Sequence, residues 1–149
     1  MDDILKDLLK QEAELRFPAF DETQAMKLGM LIMEKAIADG LPIAIDISRG
    51  ERQLFHVSLP GASADNDQWI QRKRRTVNRF GHSSFYIGNL LKSQGKTLGE
   101  KYFISDQEYS AHGGAFPIIV EGTGQVGVVA VSGLPQEEDH RLLVECLGK

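Results

Sequence analysis

The sequence predicts an α+β domain in which helices cover a mostly antiparallel central sheet. Two paired runs of alternating residues read as β-hairpins, and helical periodicity fills the stretches before, between and after them. The resulting order is helix, helix, two strands, two helices, two strands, helix. At 149 residues, with 42% hydrophobic and 26% charged, residues 1–149 read as one globular domain.

Residues 2–13 form an amphipathic pattern with Ile4, Leu5, Leu8 and Leu9 on one face, broken at Phe17-Pro18. Asp21 is an N-cap candidate for a longer helix, with Gln24 as its capping-box partner. That helix runs through Met26, Met30, Met33 and Ile37 to Asp39-Gly40. It is apolar over much of its circumference, so it is expected to be buried. Ile43, Ile45 and Ile47 alternate with Ala44, Asp46 and Ser48, the signature of a half-buried strand. Arg49-Gly50-Glu51 makes the turn and Leu54–Leu59 returns. Ala62–Asn66 is a loop, with Ser63 or Asp65 capping the next helix. That basic helix spans the stretch from Trp69 towards His82, and another begins near Ser83-Ser84 and ends about Ser93. Gly95 and Gly99 open an irregular segment through Tyr109. Phe116–Val120 and Gln125–Ser132 make the second hairpin around Glu121–Gly124. Gln136–Leu147 is the last helix, with Glu137, Glu138 and Asp139 in the first turn where its dipole favours acids.

Several function classes fall away on composition. The lone Cys146 cannot form an internal disulfide, and no Cys–His set suits a structural zinc. Met1-Asp2-Asp3 does not resemble a signal peptide, and no apolar run reaches the length of a membrane span. A cytoplasmic setting without membrane contact is therefore expected. The pI of about 5.6 argues against generic nucleic-acid binding. Hydrolytic motifs are missing too: there is no Ser elbow, His-Glu-x-x-His or phosphate-binding Gly-Lys-Ser loop.

The dense positive block is Arg72, Lys73, Arg74, Arg75 and Arg79, in a chain of net charge −4. Helical geometry divides it. Trp69, Ile70, Val77 and Phe80 share one side, whereas Arg72, Arg75 and Arg79 stand three and four apart as a separate stripe. The stripe is either a solvated face or a contact for an anion or a subunit. Lys73 projects into the apolar arc, where it either snorkels or meets an anion. His82 follows the helix directly, as a C-terminal charge partner or as a ligand or proton-transfer group.

His112-Gly113-Gly114-Ala115-Phe116-Pro117-Ile118, then Gly127 to Gly133 with Val131-Ser132-Gly133, then Asp139, resembles a known framework. It is that of the haem-degrading-domain family, which includes GlcG, HbpS and the C-terminal domain of PduO. Lys73-Arg74-Arg75-Thr76-Val77 is similar to that family's Lys-Ala-x-Thr-Ala helix motif in its Lys and Thr. Arg74 and Val77 stand where the motif has alanines, and Phe116 slightly alters the strand spacing. Asp65-Asn66-Asp67-x-Trp69, Arg79-Phe80-Gly81-His82-Ser83-Ser84 and His112-Gly113-Gly114-x-Phe116-Pro117 further resemble a short stand-alone branch with this domain. The resemblance implies a profilin-like domain that assembles into dimers and larger homo-oligomers. It also implies a ligand pocket where the Lys73 helix meets the Gly113-Gly114 strand.

Lys73, Arg75, Thr76, His82, His112, Gly113, Gly114 and Phe116 are accordingly the candidate ligand-binding residues. Gly113 and Gly114, lacking Cβ atoms, either admit a ligand or second backbone, or merely form the turn into the strand. Pro117 suggests an edge strand or a strand start. Two functions follow. One is non-covalent haem binding, with His82 or His112 on the iron and Lys or Arg on the propionates. The other is a non-catalytic oligomeric binding or adaptor protein, whose basic helix holds a small anion or an acidic partner.

Overall fold

The computed structural model describes residues 2–149. Six helices and four strands follow the expected order, with one addition: α1 (Asp2–Glu14), α2 (Glu22–Ala38), β1 (Ala44–Arg49), β2 (Arg52–Ser58), α3 (Ala64–Phe80), α4 (Ser84–Gln94), α5 (Leu98–Tyr102), β3 (Ala115–Val120), β4 (Gly124–Ser132) and α6 (Gln136–Leu147). The added helix α5 lies inside the segment read as irregular. Thr97 caps it by accepting from the backbone N–H of Glu100, whose carboxylate accepts from that of Thr97.

All strand pairs are antiparallel, in the order β2-β1-β4-β3. The sheet is mostly antiparallel and helix-covered, as the sequence predicts. β3 is an edge strand, so Pro117 costs no ladder hydrogen bond in the sheet interior. One face presents Ile43, Ile45, Ile47, Phe116, Ile118, Val129 and Val131 to α2 and α6, forming the main core. The opposite face presents Ala44, Ala115, Val128 and Ala130 to Ile70 and Val77 of α3. Small residues on that face let α3 lie close to the strands.

Two expectations about burial change. β1 is buried on both faces, and Asp46 is only 2% exposed. Period-two alternation suggested an open polar face, but α3 covers it and Asp46 finds partners there. Gln53 Nε2 donates to Asp46 Oδ1 at 2.6 Å, and His56 Nδ1 lies 3.1 Å from the same oxygen. His56 Nε2 reaches Asp67 of α3 at 3.3 Å, tying the helix to the sheet. The second change is α2. Asp21 caps it with Gln24 as expected, and Leu28, Gly29, Ile32 and Ala36 are buried. Met26, Met30 and Ile37, however, are exposed, because only one side of the helix faces the sheet.

Candidate functional site

The helix α3 starts at Ser63, whose backbone N–H donates to Asn66 Oδ1, and ends at Gly81 in the left-handed conformation. Between these caps its three sides do different things. The apolar side packs on the sheet. The arginine stripe turns to the segment that follows α5: Arg72 donates to the carbonyl of Asp106 and Arg75 to that of Glu108, each at 3.2 Å. Arg79 lies over the Phe80 and Tyr109 rings. The stripe thus satisfies loop carbonyls that would otherwise need water. Arg74 bonds the carbonyl of Gly50, fastening the β1–β2 turn.

Lys73 is 3% exposed and does not snorkel. Its ammonium donates to Asp139 Oδ2 at 3.2 Å and to the carbonyl of Val131 at 3.1 Å. Asp139 Oδ1 accepts from the backbone N–H of Leu134, so the carboxylate is held from two sides. Burial opposes charge on both partners. It pushes the Lys73 ammonium down and the Asp139 carboxyl up to about 6, although each partner's charge favours the other's.

Gly113 and Gly114 are close-approach residues. Gly114 has φ +130°, and a Cβ there would stand 2.6 Å from Lys73 Nζ and from the carbonyl of Val131. A Cβ on Gly113 would collide with the carbonyl of Gln136 and with the Phe85 ring. What approaches these glycines is therefore the protein's own backbone and ion pair. Gly113 N–H donates to Gln136 Oε1, docking the strand entry on α6.

His112, immediately before these glycines, projects into open space. Two cavities meet at its ring. A small one of about 320 Å³ is lined by Asn66, Trp69, Lys73, Ser132, Gln136 and Asp139 among others, with His112. A larger groove of about 1190 Å³ runs between α3, α4, α5 and the 106–112 segment. Its walls include Trp69, Phe85, Leu91, Leu98 and Tyr109, and its cations are Arg72, Lys92 and Lys96. Trp69 meets the His112 ring edge-on at 5.4 Å and carries the Arg72 guanidinium at 4.0 Å on its own ring. His112 Nδ1 is 3.0 Å from Ser110 Oγ, and Nε2 has no hydrogen-bond partner among the described residues. Ser110 N–H in turn donates to Thr76 Oγ1, which itself bonds the carbonyl of Arg72. Burial, together with the Lys73 and Arg72 charges, holds His112 below the ordinary imidazole pKa. A neutral ring with Nδ1 anchored presents Nε2 as a lone-pair donor.

Of the candidates, the structure places Lys73 and His112 on the wall of the smaller cavity, with Thr76 behind His112. Gly113 and Gly114 line neither cavity and are packed against α6 and the Lys73–Asp139 pair. It separates the other candidates. His82 lines neither cavity: its Nδ1 bonds Glu12 of α1 at 2.7 Å and its ring packs on Tyr86. Phe116 is fully buried and faces α6, because its strand register turns it to the main core. Arg75 binds the loop backbone. His140 is buried, donates through Nε2 to Gln11 Oε1 and stacks on Phe85, and desolvation lowers its pKa to about 4. Asn66, Trp69, Ser132, Gln136 and Asp139 were not among the candidates. Asp139 could have been inferred: a lysine on an apolar arc demands an acid, and Asp139 closes the motif framework.

With this geometry in place, comparison with known proteins is decisive for kinship. The family model "Haem degrading protein HbpS-like" matches residues 20–147. This chain belongs to that family. The UPF0303 protein of Streptomyces avermitilis is 50% identical over 143 residues, covering 96% of this chain and 88% of the relative. A UPF0303 protein of Rhizobium etli is 47% identical over 147 residues, covering 99% and 89%. Among solved structures, the Ybr137w protein superposes with a TM-score of 0.89 at 39% identity, covering 96% of this chain and 84% of that one. The PduOC–haem complex superposes at 0.73 with 16% identity, covering 87% and 94%. At that identity the haem complex is a likeness of fold. Among the described residues, no helix is long and apolar enough to cross a membrane. No group of three or more His, Cys, Asp or Glu there is placed to hold a metal ion.

Proposed function

We propose that this chain binds haem non-covalently in the larger groove, where His112 Nε2 would hold the iron. The observation that supports this is His112 itself. Alone among the four histidines, it faces both described cavities, neutral and anchored at Nδ1. Membership of an HbpS-like family and the haem complex of a fold relative point the same way. The groove, at about 1190 Å³, has room for a flat macrocycle. Trp69, Phe85, Leu91, Leu98 and Tyr109 offer the apolar wall, and the exposed Lys92 and Lys96 can pair with propionates.

Bound haem supplies the redox and ligand-binding chemistry. The chain's own residues hold the imidazole and keep it deprotonated. Thr76 and Ser110 fix the loop that carries it, and Lys73 with Asp139 locks the strand that follows. The reading places the protein in a reducing cytoplasm, which suits the single buried thiol of Cys146. An anion receptor on the basic helix has less support, since Arg72 and Arg75 are engaged by loop carbonyls and Lys73 by Asp139.

Haemin titration followed by absorbance tests the reading. A saturable Soret shift is expected for the wild type and for His82→Ala, with at least about tenfold weaker binding in His112→Ala. Equal affinities in the wild type and His112→Ala would sink it.

A further inference from the structure

Haem in the larger groove would use only one of the two cavities that meet at His112. The smaller, about 320 Å³, has the size of a site for a compound of a few heavy atoms. Its wall is polar where α3, the end of β4 and the start of α6 converge, with Asn66, Lys73, Ser132, Gln136 and Asp139. Some of these groups have bonding capacity to spare. Gln136 takes the Gly113 N–H through Oε1, while its own amide N–H groups have no partner among the described residues. Ser132 Oγ accepts from Asn66 Nδ2 at 3.3 Å and keeps its proton to donate.

Lys73 is the only buried lysine among the described residues. Its nitrogen makes two hydrogen bonds, to the Val131 carbonyl and to Asp139 Oδ2, and has a third position that no described residue fills. A lysine serving only to fasten a strand could sit in a closed interior. This one stands on a cavity wall with a proton acceptor 3.2 Å away. Burial works against its charge and Asp139 supports it, and burial also raises Asp139 to about 6. Desolvated lysines of this kind act as nucleophiles towards carbonyl carbon.

We propose that Lys73 forms a Schiff base with a small aldehyde or ketone held in this cavity, with Asp139 carrying the protons. The ammonium passes one proton to Asp139 Oδ2, and the amine electron pair forms a C–N bond to the carbonyl carbon. Asp139 protonates the former carbonyl oxygen and takes a proton from the nitrogen, giving a carbinolamine. It then returns that proton to the hydroxyl, which leaves as water while the nitrogen lone pair closes the C=N bond. One ammonium has become one iminium facing the same carboxylate, so the charge of the pair is unchanged. Ser132 and Gln136 supply donors for hydroxyl or carboxylate oxygens on the substrate, which selects oxygen-substituted carbonyl compounds over plain hydrocarbon ones. This chemistry does not depend on haem.

Reductive trapping tests the proposal. The full chain is incubated with pyruvate or dihydroxyacetone and sodium cyanoborohydride, and the adducts are located by peptide mass mapping. At least one probe should label Lys73 in a saturable manner, at least about tenfold faster than it labels the exposed Lys92 and Lys96. Ser132→Ala, which leaves the ion pair intact, should raise the half-saturating probe concentration by about threefold or more. Labelling of Lys73 by neither probe overturns the proposal. So does labelling no faster than at Lys92 and Lys96, a rate that climbs with probe concentration without saturating, or an unchanged half-saturation in Ser132→Ala.

Discussion

Lys73 and Asp139 hold each other at 3.2 Å with both side chains almost wholly buried, so removing either strands a charge. Lys73→Met or Asp139→Leu alone should cost about 3–5 kcal/mol in urea unfolding, whereas the double variant should recover most of the loss. Equal, additive losses in the double variant would mean that the pair does not act as a unit. Gly114 sits against the same ammonium. Gly114→Ala forces a Cβ to φ +130° and into Lys73 Nζ, and should destabilise by about 2–4 kcal/mol, read as a drop in the urea midpoint. At this scale the sequence was most informative about Lys73, because one charged residue on an apolar arc contradicts its surroundings. It could not say whether a ligand or the protein supplies the anion, since Asp139 is distant in sequence. Nor could it separate His112 from His82. Both sit beside glycine, and only the register of α1 against α4 gives His82 its partner in Glu12.

The helix α3 joins the two hairpins to the loop that carries His112. Its Thr76 is the joint: the side chain takes the Ser110 N–H and gives its own proton to the Arg72 carbonyl. Thr76→Val keeps the shape and removes that bond. It should cost about 1 kcal/mol of stability and weaken haemin binding severalfold, less than His112→Ala does. Unchanged haemin affinity in Thr76→Val would show that the loop is held without it. Periodicity made nearly every element readable, and Asp21 marked the start of α2. Of the two caps offered for α3 the structure uses Ser63, so the stretch read as a loop through Asn66 is already helical from Ala64. The burial of Asp46 was not readable, because which helix covers a strand face is a tertiary fact. The short α5 was overlooked for another reason: glycines at 95 and 99 obscured the Thr97–Glu100 capping box.

For the molecule as a whole, two neighbours on α6 give opposite responses to acid. His140 falls from 6.5 to about 4 on folding, so the unfolded chain binds the extra proton between those values. That contribution is full above pH 6.5 and is lost as pH falls towards 4. Asp139 rises from 3.8 to about 6, so the folded chain binds the extra proton and gains stability as pH falls through that window. His140→Phe removes the first effect. Its urea midpoint should therefore rise relative to wild type as pH falls from 6.5 to 4; a constant difference would contradict this assignment. Haem binding has its own pH signature. With His112 held below 6.5, affinity should stay level from pH 8 to 6.5 and decline only in more acidic solution, as the imidazole takes up its proton.

The central claim is that the His112 imidazole, held by Thr76 and Ser110 at the mouth of the groove, is an iron ligand. Chemical rescue tests it most directly. Haemin should bind His112→Gly weakly, and free imidazole should restore the wild-type Soret position and affinity by filling the vacated space. A His112→Gly protein that binds haemin like wild type without imidazole, or that imidazole does not restore, would contradict the account.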